Sequence, residues 1–279
     1  MSPEVGELDE DAVQEGLNDN PDQMMAMLAD LTAATDPRLR ALAQRLAAQL
    51  FLDVSKRGPV KPRGIGKIVS QPYSPDGGDL DIDSSLEAIA LGGSAAGGQR
   101  SAIDPEGLRV RGWSKPGTAL CLMVDRSGSM GGKPLATSAV AAAAVAWRAP
   151  ADYSVLAFGK DIVVAKSQDV FKDSEKVVND VLTLRGFGTT DVAGALQVAQ
   201  SQLMRSRAGR RIAVLLSDCR ATVDGDVRAA AAALDELLII APAGDSEEAE
   251  QLAASVGARL RTVAGPTEVA SALAELLDT

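Results

Sequence analysis

Residues 119–130 read Ala-Leu-Cys-Leu-Met-Val-Asp-Arg-Ser-Gly-Ser-Met, an unbroken apolar run that stops at Asp125. A strand that alternates apolar and polar side chains keeps one wet face, whereas a run without a polar position keeps none. Residues 119–124 are therefore expected to form a strand buried on both faces, in the middle of a sheet covered by helices. An aspartate placed directly behind such a strand faces desolvation and calls for a cation or several hydrogen-bond donors. Just downstream, Pro134 suits the first turn of a helix, and the alanine-rich stretch that follows extends it to about Trp147.

Outward from this pair the pattern repeats. Residues 153–158 and 162–165 flank Gly159-Lys160-Asp161, a hairpin signal that adds an antiparallel edge strand. Further apolar runs at 212–216 and 237–241 read as strands, and a last strand is expected around 260–263. Between and after them, residues 174–184, 192–205, 247–256 and 267–277 read as helices. The alternation predicts an α/β fold: a doubly wound, mostly parallel six-stranded sheet with one antiparallel edge strand and helices on both faces.

Toward the N-terminus the signals change. Asn20-Pro21 and Asp36-Pro37 each put a capping side chain before a proline at the first helical position. Met24, Met27, Leu28 and Leu31 follow the first cap at helical spacing, and Leu39, Leu42, Leu46 and Leu50 follow the second. Glu4, Glu7, Asp9, Glu10, Asp11, Glu15, Asp19, Asp22 and Asp30 all precede the first basic residue, Arg38. Such an acidic run reads as solvated chain. Residues 56–67 are basic and rich in Gly and Pro, a loop. Order resumes at 80–89, behind the turn signal Asp76-Gly77-Gly78, and residues 92–98 (GGSAAGG) read as a linker. The resulting division is an acidic, disordered arm at 1–19, a small N-terminal helical segment with its basic loop at 20–91, a flexible linker at 92–104, and the α/β domain at 105–279.

The totals remove several functions. A net charge of −10 over 279 residues argues against nucleic acid, which needs a concentrated basic face. The chain contains no histidine, so every mechanism built on an imidazole base is excluded. Two cysteines, Cys121 and Cys219, cannot by themselves make a zinc site and read as buried, reduced thiols. No apolar run is long enough to span a bilayer, and the acidic start is unlike a signal peptide; a cytoplasmic location is the default expectation. Gly128-Ser129-Met130-Gly131-Gly132-Lys133 has the look of a nucleotide loop, but Ser127 stands where a Walker motif needs glycine and Pro134 where it needs Ser or Thr. Ser127 also occupies the position where a dehalogenase-type phosphatase carries its second aspartate. No candidate base is apparent, so the chain is expected not to be an enzyme.

Two apolar strands end in an aspartate, Asp125 and Asp218, and a third segment, Gly186-Phe187-Gly188-Thr189-Thr190-Asp191, joins two helices through a glycine-rich turn carrying hydroxyls. In open α/β sheets ligands bind outside the carboxyl ends of the strands. If the three loops meet there, they offer two carboxylates and several hydroxyls, an all-oxygen set suited to a hard cation such as Mg²⁺.

These residues resemble a known arrangement. Asp125-x-Ser127-x-Ser129 is similar to the DxSxS element of the metal-ion-dependent adhesion site (MIDAS) of von Willebrand factor A (VWA) domains. Thr190 followed by Asp191 resembles the family's glycine-rich threonine element, and Asp218 its final aspartate, all within a stretch from about residue 108 to 279. The resemblance implies that Ser127, Ser129 and Thr190 supply hydroxyl ligands, with Thr189 the alternative to Thr190. Asp125 and Asp218 would act mainly through hydrogen bonds or bridging water. It implies a Mg²⁺ cofactor, or Mn²⁺ in its place, and a protein partner that supplies a Glu or Asp to the metal. The N-terminal helices, the LDIDSS element and the DRSGSM form together resemble bacterial CoxE-like VWA proteins, and more distantly the VWA part of magnesium-chelatase D subunits. That finer resemblance implies an adaptor serving a MoxR-type AAA+ ATPase in remodelling or metal insertion.

Overall fold

The computed structural model describes residues 10–34, 36–56, 67–72, 79–93, 108–114, 117–126, 132–184 and 188–278. The chain divides into two compact units, one made of residues 1–61 together with 118–279, the other of residues 62–117. The larger unit opens with three helices, α1 (Glu10–Asp19), α2 (Pro21–Leu31) and α3 (Pro37–Ser55). Both expected caps are made. The Asn20 side chain accepts from Gln23 N at 3.2 Å, and Asp36 accepts from Arg38 N at 2.7 Å and Leu39 N at 3.2 Å.

The smaller unit holds β1 (Lys67–Pro72), β2 (Asp79–Leu80), α4 (Ile82–Gly93) and β3 (Arg109–Ser114), with β3 in the centre and antiparallel to both other strands. Asp81 starts α4 by accepting from Ser84 N at 3.3 Å and Ser84 Oγ at 2.8 Å, and Arg111 pairs with it at 3.1 Å. Hydrogen bonds from the Ser70 and Ser84 hydroxyls hold the Asp81 carboxyl down to about 2.

The larger unit then resumes with β4 (Thr118–Asp125), α5 (Gly132–Arg148), β5 (Tyr153–Phe158), β6 (Ile162–Lys166), α6 (Ser174–Thr183), α7 (Val192–Leu203) and β7 (Arg210–Leu216). It closes with α8 (Val227–Ala232), β8 (Leu237–Pro242), α9 (Glu247–Val256), β9 (Arg259–Val263) and α10 (Pro266–Asp278). Its six strands lie in the order β6-β5-β4-β7-β8-β9, every neighbouring pair parallel except β5 with β6. This is the doubly wound sheet expected from the apolar runs, with the antiparallel edge strand where the Gly159-Lys160-Asp161 turn predicts it.

Helices cover both faces. One core joins α5, α6 and α10 to the sheet, and the other joins α7 and α9 to its opposite face. Helices α2 and α3 form a further layer against α5. That layer explains the composition of α5, in which eleven residues from Leu135 to Ala146 are buried: a helix covered all round has no wet stripe to keep polar. Among the described residues, no helix is long and apolar enough to cross a membrane.

The N-terminal helices correct two expectations. Glu10–Asp19, read as part of a disordered arm, is helical, because Val13 and Leu17 stand one turn apart and pack on the core despite the acidic neighbours. The buried faces are also rotated from the leucine and methionine stripes. In α2 the fully buried residues are Met25, Leu28 and Ala29, while Met27 is exposed; in α3 the buried face is Ala43, Ala47, Ala48, Phe51 and Val54. Alanines let α3 approach the alanine-rich α5 closely, so the larger Leu42, Leu46 and Leu50 stand at the margins, half-buried. The basic stretch 57–66 and the glycine-rich stretch 94–98 lie outside the described residues.

Candidate functional site

Parallel pairing of β4 with β7 sets Val124 beside Leu216, so the next residues of the two strands, Asp125 and Ser217, emerge side by side. Ser217 Oγ donates to Asp125 Oδ2 at 2.6 Å and in turn accepts from Cys219 N at 2.9 Å. Asp218 is half-buried, and its Oδ1 accepts from Arg220 N at 2.9 Å. The turn between them places Cys219 at φ +65, a left-handed conformation that costs a non-glycine residue about 1 kcal/mol. Strain of this kind persists where surrounding contacts over-determine it, typically at a ligand site. Burial, with Asp218 and Asp125 nearby, pushes the Cys219 thiol up to about 12.

The threonine loop is tied to the same region. Thr190 is buried; its N–H donates to Thr222 Oγ1 at 2.7 Å, and its carbonyl accepts from Thr222 N at 3.1 Å and Val223 N at 3.4 Å. Thr189 is exposed. Asp191 N donates to Gly159 O at 3.2 Å, and the Asp191 side chain caps α7 by accepting from Gly194 N at 2.8 Å. Arg126 N donates to Phe158 O at 2.7 Å, and its guanidinium to Asp161 O at 3.1 Å. The loops behind β4, β5 and β7 and the loop before α7 thus converge at one end of the sheet. Ser127 and Ser129 lie outside the described residues.

A cleft of about 250 Å³ opens at this end. Asp125, Ser217 and Asp218 line it with Lys133, Thr137 and Ser138 of α5, and Leu216, Pro242, Val263 and Gly265 complete its wall. Chain connections leave β4 toward β5 on one side, while β7 and β8 lie on the other. The cleft therefore sits at the point where strand order reverses, where open α/β sheets bind their ligands. Two carboxylates beside hydroxyl-bearing residues make an all-oxygen donor set, which fits a hard divalent cation. Among the described residues no group of three or more His, Cys, Asp or Glu is placed to hold a metal ion.

Residues 120–221 match the von Willebrand factor type A domain. The matched stretch opens in β4 and closes just past Asp218, so it takes in Asp125, Thr190 and Asp218 together. No curated protein matches the chain in sequence. Among solved structures, proximal thread matrix protein 1 from the mussel byssus is similar over 58% of this chain and 47% of its own, at 16% identity and a TM-score of 0.44. A von Willebrand factor type A protein from Catenulispora acidiphila is similar over 58% of this chain and 42% of its own, at 16% identity and a TM-score of 0.43. BatB from Bacteroides thetaiotaomicron is similar over 58% of this chain and 96% of its own, at 11% identity and a TM-score of 0.43. The chain thus spans about half of the mussel protein.

Sequence reasoning missed two residues of the candidate site. Ser217 orients Asp125, and Thr222 anchors Thr190 from both directions. Register could have shown the first, because a serine that ends the strand beside β4 must emerge next to Asp125. Nothing local marks Thr222. Lys133 lines the cleft, whereas the Arg126 guanidinium is turned to the β5–β6 hairpin.

Proposed function

We propose that the chain is a Mg²⁺-dependent protein-binding module, an adaptor rather than an enzyme. Ser127, Ser129 and Thr190 are assigned as hydroxyl ligands, and Asp125 and Asp218 as the carboxylates that balance the charge. The observation that carries this reading is that Asp125 and Asp218, from neighbouring parallel strands, line one cleft while Thr190 is hydrogen-bonded to the loop behind Asp218. The buried Thr190 is preferred over the exposed Thr189. Hydroxyl ligands neutralise a cation poorly, so a bound Mg²⁺ keeps affinity for an external carboxylate. Ser217 holds Asp125 in place, and Lys133 adds positive charge at the rim where a partner's Glu or Asp would approach. The lack of histidine removes every imidazole base from the chain, which favours binding over catalysis. For the partner we propose a MoxR-type AAA+ ATPase in the cytoplasm, on the strength of the resemblance to CoxE-like proteins.

The test is retention of the candidate ATPase on immobilised full-length chain. Wild type is compared with Asp125→Ala/Thr190→Ala, each with Mg²⁺ and with EDTA, after circular dichroism shows both proteins folded. Retention by wild type in Mg²⁺ alone is the expected result. Equal retention under all four conditions overturns the reading, and hydrolysis of a phosphate ester or ATP by the isolated chain overturns the assignment as a non-enzyme.

A further inference from the structure

Helix α2 reaches the two helices that flank the cleft. At its C-terminal end, Asp30 Oδ1 accepts from Gly132 N, the first residue of α5, at 2.7 Å. At its N-terminal end, Asp22 Oδ1 accepts from Thr267 N in the first turn of α10 at 3.0 Å. Each carboxylate thus satisfies an N–H that a helix start leaves without an internal partner, and each places negative charge at the positive end of a helix dipole. Caps normally come from the residue just before the helix; these come from 102 and 245 residues away.

Both contacts rest on glycine. Gly132 has φ +57, a conformation that glycine adopts without strain, and a Cβ there would stand 3.6 Å from Asp30 Oδ2. A Cβ at Gly265 would overlap the Asp22 carboxylate. Gly265 and Lys133, the neighbours in sequence of these two contacts, both line the cleft.

We infer that α2 is a clasp on the candidate site: Asp30 and Asp22 are positioning residues that hold the starts of α5 and α10 and thereby set the affinity of the cleft for its cation. The clasp rests on the cation reading proposed above. It joins the N-terminal helices to the site, so a partner that moves α2 would change cation affinity without touching a ligand, and cation binding would in return tighten α2.

The experiment is calorimetric titration of Mg²⁺ into the full chain. Wild type is compared with Asp30→Ala, with the Asp22→Ala/Asp30→Ala double variant and with Asp30→Asn. Asp53→Ala serves as a control, since it removes an equally charged carboxylate paired only with Lys56 on α3. Losing one cap should weaken Mg²⁺ about fivefold and losing both about twentyfold. Asp30→Asn, whose amide oxygen still accepts from Gly132, should stay within about twofold of wild type, as should Asp53→Ala. Melting temperatures in EDTA show whether each variant folds. Equal Mg²⁺ affinity in wild type and the double variant overturns the clasp, even if the double variant melts lower, because the contacts are then structural only. A wild type that takes up no Mg²⁺ instead overturns the cation reading.

Discussion

Replacing Ser217 with alanine should destabilise the larger unit by about 2 kcal/mol, and the structure supplies the terms. Ser217 is 6% exposed and stands between two groups that depend on it. It donates to Asp125 at 2.6 Å and accepts from Cys219 N at 2.9 Å. A hydrogen bond to a carboxylate contributes roughly 1.5–3 kcal/mol when buried. Asp125 is half-buried, so water recovers part of that and about 1 kcal/mol remains. The Cys219 N–H belongs to a residue 8% exposed, and losing its acceptor adds about 1 kcal/mol. For a unit of this size the sum lowers the melting temperature by about 4–8 °C. The assay is thermal unfolding followed by far-UV circular dichroism in EDTA, so that no cation compensates for the lost contact. Ser217→Thr keeps the hydroxyl and should recover most of the loss. An alanine variant melting within about 1 °C of wild type would falsify the view that Ser217 couples the ends of β4 and β7.

Two further outcomes follow from packing and charge. Ala47→Leu, on the buried face of α3, should cost about 2 kcal/mol by overpacking against α5, and Leu46→Ala at the margin about half as much; urea unfolding measures both, and the opposite order would restore the leucine stripe as the packing face. In the smaller unit, the depressed Asp81 carboxyl contributes stability that is fully present above the unfolded value near 3.8 and lost as pH falls through about 2. Asp81→Asn should therefore melt lower than wild type at pH values above about 4 and converge with it near pH 2, and a gap independent of pH would show that the carboxylate charge is not the cause.

What the sequence reveals most readily is the sheet. Runs such as residues 119–124 and 237–241 have no polar position, and a strand with that pattern must be covered on both faces. The elements that stayed hidden share one property: their partners are distant. Lys67–Pro72 is half polar and becomes a strand by pairing with Arg109–Ser114 across a long intervening segment. The helical face of Glu10–Asp19 consists of little more than Val13 and Leu17, outnumbered by acids. The alanine face of α3 is recognisable only once the alanine-rich α5 is known to oppose it. The same holds at the site. Asp125, Thr190 and Asp218 could be named from their places behind strands and before a helix, whereas Ser217 and Thr222 take their roles from register and loop contacts. Asp22 and Asp30 were counted in a solvated acidic run; two carboxylates of that run are helix caps.

The larger unit is made of two pieces of chain separated by the whole of the smaller unit. Its first three helices precede in sequence most of the surface that covers them, and the contact between Asp22 and Thr267 spans 245 residues. Contacts across such separations are slow to form, since the closure entropy is spent before the contact repays it. Clasped at both ends, α2 is thus where the two pieces of chain that make the larger unit are joined.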